Sequence, residues 1–207
     1  VPIKNHSKAE LEQIADDFLN RWGRGKYDGN GRSLRVEALI EGYGYHIWPV
    51  PNLAQIAEAY IPVKAGYIFV DEDQYLNPWS FRVRFTLTEE LAHVLLHRPI
   101  FEGKDISQII IIQQAITDAE YRTIERNAKY LAGAILMRRH LFKERFAFFF
   151  RQQSLRSSNR LQILKFVVRE LSRDFNVSCY TVAIRARDLD LIDQQQLDDL
   201  MEENQHW

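Results

Sequence analysis

The chain has 207 residues, 46% hydrophobic and 27% charged, which is the balance of a folded globular protein and excludes a disordered one. A formal net charge of -1 selects no class of partner, and the single cysteine, Cys179, excludes an intrachain disulfide framework. Such cysteine usage predicts a reducing, cytoplasmic setting.

The opening segment, Val1-Pro2-Ile3-Lys4-Asn5-His6, has no apolar core and does not read as a secretory leader. Ser7-Lys8-Ala9-Glu10 reads as a capping box. Leu11, Ile14, Ala15, Phe18, Leu19 and Trp22 follow at helical spacing, and Gly23 supplies a stop. Asp28-Gly29-Asn30-Gly31 is turn chemistry. A second helix is expected from Ser33 to about Glu41, ended by Gly42-Tyr43-Gly44. Tyr45 to Trp48 and Gly66 to Val70 are rich in aromatic and β-branched residues and predict short strands. Pro49 and Pro51 should close the first, and Asp71-Glu72-Asp73 the second.

From Ser80 helical signals dominate. Phe81 to His97 reads as one helix ended by Pro99. The aliphatic run Ile109 to Ile112 is far too short to span a bilayer, so no membrane association is expected. Thr117-Asp118-Ala119-Glu120 is a second capping box, opening a helix that reaches about Met137. Helices near 140–153 and 160–175 follow, and Asn176-Val177-Ser178 is a break whose serine caps a further helix ending near Leu189. The fold class is therefore α+β: a small early β-sheet, then a mainly helical C-terminal half. The expected division is 1–137 and 138–207. Leu171, Phe175, Val177, Val182 and Ile184 around the break suit a helix-turn-helix, or plain helical packing.

Charge is unevenly spread. Between Arg138 and Arg169 stand nine basic residues against Glu144 alone, and the tail from Asp188 onward is acidic. Arg138, Arg139, Lys143, Arg145 and Arg151 could form a nucleic-acid footprint; a solvated face neutralised by the tail accounts for the same residues. The run Phe146, Phe148, Phe149, Phe150 suits a core or helix–helix contact. His46, His140 and His206 have no partner at ligand spacing and read as surface or packing residues.

The chemistry-bearing segment is Thr88-Glu89-Glu90-Leu91-Ala92-His93. In a His-Glu-x-x-His helix two imidazoles at i and i+4 hold one metal ion, and the glutamate beside the first activates water. Here Glu89 and His93 keep the i, i+4 spacing, and a carboxylate oxygen also ligates zinc. Glu90, about 100° further round the helix, keeps the position of the general base. Leu87, Leu91, Val94 and Leu95 can bury the opposite side. Taken alone, these residues equally suit an ordinary exposed Glu–His pair.

The flanks extend the motif. The run from Arg84 to His97 resembles the segment R-F-T-L-A-H-E-L-G-H-x-L-L-H of the ImmA/IrrE-type metallopeptidases, a zincin-like family. Gly66 to Asp71 resembles the strand leading into that helix. Glu125 to Met137 is similar to the family's E-x-E-A-N-x-F-A-A-x-L-L-M-P. Phe175-Asn176-Val177-Ser178 and Arg187 to Ile192 resemble its F-x-V-S and R-L-x-x-L-G-L-I closing segments. The resemblance runs from about residue 30 to 192.

It implies a small sheet packed on a zincin-like active-site helix, metal ligands at Glu89, His93 and Glu125, and Glu90 as the water-activating base. Glu120 ranks below Glu125 because it has a capping task. His97 is expected to take a supporting or capping role rather than to ligate, and Arg82 and Arg84 to pair with acids. The implied cofactor is a divalent metal ion, zinc first, with manganese or magnesium tolerated because two carboxylates make a harder ligand set. Departures from the family are Thr88 for alanine, Glu89 for histidine, Asn127 for glutamate, Lys129 for asparagine and Arg138 for proline. Of these, only Glu89 is expected to touch the chemistry.

The implied function is a metal-dependent endopeptidase acting on a protein substrate such as a helix-turn-helix transcriptional repressor, in phage or mobile-element regulation and stress response. Glu89 would alter its metal preference or weaken its activity. The alternative is a non-catalytic regulator that keeps the fold and binds a protein or nucleic-acid partner.

Overall fold

The computed structural model describes residues 3–53, 59–60, 66–77, 81–101 and 115–202. His206 and the run 109–112 lie outside the described residues. The chain divides into two compact units, one comprising 1–26 and 35–135, the other 27–34 and 136–207.

The first unit begins with α1 (Lys8–Trp22), entered through the predicted capping box. The Ser7 N–H donates to Glu10 Oε2 at 2.8 Å and the Glu10 N–H donates to Ser7 Oγ at 3.3 Å, so two donors at the helix start satisfy each other's side chains. α2 (Val36–Gly42) buries Val36, Leu39 and Ile40 completely. It starts later than Ser33 because Asp28 Oδ1 accepts the Arg32 and Ser33 N–H groups, at 3.1 and 3.3 Å. That ties the segment into a turn closed by the Tyr27–Leu34 bridge. Gly44, at φ 98, lets the chain leave α2 while the Tyr45 N–H reaches back to the Ile40 carbonyl at 3.1 Å.

Among the described residues the sheet has three strands in the order β1 (His46–Val50), β3 (Tyr67–Asp71), β2 (Ala59–Tyr60). β1 and β3 are parallel, with His46 opposite Tyr67 and Val50 opposite Asp71. β2 runs antiparallel on the other side of β3. Pro49, expected to close β1, lies inside it. β1 is an edge strand, where a missing N–H interrupts no ladder on the open side. Ile68 and Val70 are fully buried on one face of β3, and Tyr67 and Phe69 stack on the other at 6.3 Å. Asp71 ends the strand and caps the short helix α3 (Glu72–Tyr75), accepting from the Gln74 N–H at 3.1 Å.

α4 (Phe81–Phe101) continues through Pro99, where a stop was expected. Proline this near a helix end forfeits few backbone bonds. Val83, Leu87, Leu91, Ala92 and Val94 form its buried side. α5 (Asp118–Leu136) opens at the second capping box: the Thr117 N–H donates to Glu120 Oε2 at 2.9 Å. Its buried stripe is Ile124, Ala128, Leu131, Ala132 and Ile135. The N-terminal segment is tied to α5 by the Asn127 Nδ2–H donating to the Lys4 carbonyl at 3.0 Å and the Tyr130 hydroxyl donating to Glu12 at 2.9 Å.

The second unit holds α6 (Arg139–Ser154), α7 (Arg160–Phe175), α8 (Cys179–Asp188) and α9 (Gln194–Glu202). Its core gathers Phe142, Phe146 and Phe149 with Val167, Val168, Leu171, Phe175, Val182 and Ala186. Phe148, by contrast, is exposed. α6 is preceded by Arg138 at φ -51, a backbone setting that suits the proline usual there in the family.

The arginines of the basic stretch are not equivalent. Arg145 Nε donates to Asp174 Oδ2 at 2.7 Å, Arg32 approaches the other carboxylate oxygen at 3.2 Å, and the Arg145 guanidinium lies 4.5 Å over the Phe149 ring. Arg145 therefore serves the packing of this unit and drops out of the expected footprint. Arg185 is buried and donates to the Met137 carbonyl at 3.1 Å.

The break between α7 and α8 is a designed turn. Asn176 adopts the left-handed conformation (φ 53, ψ 54) and its N–H returns to the Ser172 carbonyl. Ser172 Oγ donates to the Val177 carbonyl at 2.6 Å, and Ser178 Oγ accepts the Thr181 N–H at 3.1 Å. Asn176→Ala should cost about 1 kcal/mol, since a side chain without asparagine's local hydrogen bonding is strained at positive φ. Asn176→Gly should be near neutral. Urea midpoints of the three proteins check this.

Candidate metal centre

α4 and α5 supply every residue of the site. Helical spacing puts Glu89 and His93 one turn apart on α4, and burial of Leu87, Leu91 and Ala92 fixes which way that stripe faces. One potential ligand atom from each of Glu89, His93 and Glu125 lies within 4.8 Å of the others. His93 Nε2 is 3.5 Å from Glu125 Oε1. Adjacent ligands on a tetrahedral zinc ion, with bonds near 2.1 Å, stand about 3.4 Å apart, so this pair already has the required separation. Two carboxylate oxygens and one imidazole nitrogen are a donor set that fits a divalent ion of borderline to hard character.

Glu120 is absent from this group because its carboxylate is engaged at the helix cap, accepting from Thr117 Oγ1 at 2.8 Å. Thr88, fully buried where the family has alanine, satisfies its hydroxyl by donating to the Arg84 carbonyl at 2.7 Å. That departure is absorbed within the helix. His46 and His140 are exposed and outside the site.

His97 lies one turn beyond His93 and does not join the three potential ligands. Its Nδ1 meets His93 Nδ1 at 3.1 Å. One of the two nitrogens must carry the proton. If His93 donates, its Nε2 is bare and free to bind a metal; if His97 donates, His93 carries its proton on Nε2, facing Glu125. The tautomers of His93 and His97 are thus tied to one another through this contact. His97 Nε2 is buried without a hydrogen-bond partner among the described residues.

The electrostatics follow from crowding acids in a sheltered place. Burial, then the neighbouring carboxylates of Glu89 and Glu125, push the Glu90 carboxyl up to about 7. Glu89 is also raised, chiefly by burial, with Lys129 opposing and Glu125 adding to the shift. Burial lowers His93 despite the Glu125 charge, and His97 falls to about 4 from burial, then from His93 and His6. Both imidazoles are therefore neutral near pH 7.

One residue of the cluster was missed in the sequence. Lys129 Nζ stands 3.9 Å from Glu89 Oε1 and 3.6 Å from Glu125 Oε2. The expectation that Glu89 alone among the departures touches the chemistry is thereby corrected. Lys129 falls i+4 from Glu125, which places the two on one face of α5. That spacing was readable, but the proximity of Glu89 on another helix was not.

A family model described as peptidase M78, IrrE N-terminal-like domain, matches residues 75–187, which contain every residue of this centre. The chain belongs to the IrrE N-terminal-like family of M78 peptidases. No curated protein matches it. Among solved structures it is similar to a Mycobacterium tuberculosis transcriptional regulator, at 19% identity and a TM-score of 0.53. The match covers 86% of this chain and 46% of that one, so the chain spans less than half of that structure's length, and the likeness is one of fold.

The raised carboxyl of Glu90 has a consequence for stability. Its carboxyl has an ordinary value of 4.5 and stands at about 7 in the folded protein. Between those values the folded state holds a proton that the unfolded state has lost, so stability falls as pH rises through this window. In chelator-treated protein Glu90→Gln should be more stable than wild type at pH 8 by about 1–3 kcal/mol and equal to it near pH 4. Urea unfolding at the two pH values measures the difference. His97 titrates in both proteins and cancels.

Proposed function

We propose that this M78 family member is a metal-dependent endopeptidase acting on a protein substrate. The observation that carries this reading is the convergence of Glu89, His93 and Glu125 within 4.8 Å, with Glu90 next to the first of them in the chain. Glu89, His93 and Glu125 would hold a divalent metal ion, zinc first, which when bound polarises a scissile carbonyl and acidifies water. Glu90 takes the proton from the attacking water at its carboxylate and passes it to the departing amine. His97 orients the His93 ring through Nδ1 and leaves Nε2 toward the two carboxylates.

Two carboxylates and one imidazole place more negative charge around the ion than two imidazoles and one carboxylate. Glu89 should therefore weaken selectivity for zinc over manganese. The substrate class we propose, a helix-turn-helix transcriptional repressor in a cytoplasmic setting, rests on the resemblance to the ImmA/IrrE-type enzymes. No helix among the described residues is long and apolar enough to cross a membrane.

Metal analysis of purified wild type beside Glu89→His and His93→Ala tests the site. Zinc occupancy should rise in Glu89→His and vanish in His93→Ala. Equal metal content in all three proteins would falsify the ligand assignment.

A further inference from the structure

We propose that Lys129 is the resident cation of this centre: its ammonium occupies the charge position between Glu89 and Glu125, and a metal ion loads by displacing it. The inference rests on the metal-site reading above and adds the residue that controls how tightly the site holds metal.

Three observations support it. The first is position: Nζ lies within 4 Å of carboxylate oxygens of both acidic ligands, 3.9 Å from Glu89 and 3.6 Å from Glu125. No single surface pair accounts for that, because the ammonium bridges two helices. The second is charge balance. Where the family pattern has a histidine and an asparagine, both neutral near pH 7, this chain has Glu89 and Lys129. The two substitutions add one negative and one positive charge at ion-pair distance, so the net charge of the cluster is preserved. The third is exposure. The Lys129 side chain is 57% exposed, against 17% for Glu89 and 27% for Glu125. The acids are held in place while the ammonium, on a flexible four-carbon stem, can swing into solvent when a stronger cation arrives.

A divalent ion and an ammonium cannot share this space. At about 4 Å a doubly and a singly charged cation repel strongly enough, even with the screening of water, to cost a site roughly tenfold or more in affinity. The lysine must therefore leave its carboxylates for the ion to enter, and its ion pairs are lost as metal contacts are gained.

The test is calorimetric titration of chelator-stripped protein with zinc chloride and with manganese chloride, together with thermal unfolding with and without zinc. Lys129→Asn should bind zinc roughly tenfold or more tightly than wild type. Without metal it should unfold at lower temperature, because the acids lose their counter-charge, and zinc should stabilise it more than it stabilises wild type. Lys129→Arg, which keeps the charge, should behave as wild type. In a Glu89→His background, where the ammonium has lost one anchor, the effect of Lys129→Asn on affinity should shrink. Wild-type affinity in Lys129→Asn, with binding still abolished by His93→Ala, overturns the role of Lys129 and leaves the metal site standing. Weaker binding in Lys129→Asn overturns it as well. If wild type, Lys129→Asn and Glu89→His all bind neither ion, the metal-site reading falls, and this inference with it.

Discussion

Carboxylates gathered in a sheltered place have to be balanced by positive charge, and that requirement organises the middle turns of α4 and α5. Glu89, Glu90 and Glu125 are only partly exposed, and burial with mutual repulsion already raises Glu89 and Glu90. Such a cluster has three ways of reaching balance: it can take up protons, hold an ammonium, or bind a metal ion. The structure shows the second through Lys129, and the raised Glu90 shows a lean toward the first. The third is the chemistry for which the family helix is built. These solutions compete, which is why the proton affinity of Glu90, the position of Lys129 and metal loading form one problem.

The rest of the first unit holds the two helices against that repulsion. α4 is anchored by Leu87, Leu91, Ala92 and Val94, so Glu89 and His93 cannot turn away from the cluster without exposing an apolar face. α5 is gripped from its other side by the N-terminal segment, through Asn127 to the Lys4 carbonyl and Tyr130 to Glu12. Asn127, which stands where the family has a glutamate, has this structural task. Within the second unit the same logic appears in quieter form. Asp174 is neutralised by Arg145 and Arg32, and the buried Arg185 finds a carbonyl oxygen. Arg145, part of a basic stretch in the sequence, is an internal counter-charge in the fold.

Much of the architecture was legible because it depends on neighbours in the chain. The capping boxes at Ser7 and Thr117, the serine cap at Ser178 and the helical periodicity of α1, α5 and α7 are local physics, and the structure bears them out. Errors came where a residue's local tendency was overruled by its place in the fold. Pro49 sits inside β1 because β1 is an edge, and α2 starts late because Asp28 claims the Ser33 N–H. Helix α9 was not read at all, its apolar residues being as sparse as Leu197 and Leu200.

The sequence by itself determined the motif helix, the i, i+4 placement of Glu89 and His93, and the family to which they point. Helical spacing suffices for the helix and the placement, while the family rests on a resemblance that runs from about residue 30 to 192. The resemblance implied Glu125 rather than Glu120 as the third acid; only the tertiary structure brought it within 4.8 Å of the others and decided which cation stands beside them. Glu125 and Lys129 are more than thirty residues from Glu89 along the chain. Their convergence on it depends on how two helices are held side by side, and no local spacing encodes that. The His93–His97 contact lies between these cases: the spacing permits it, but the burial that keeps both rings neutral comes from the fold.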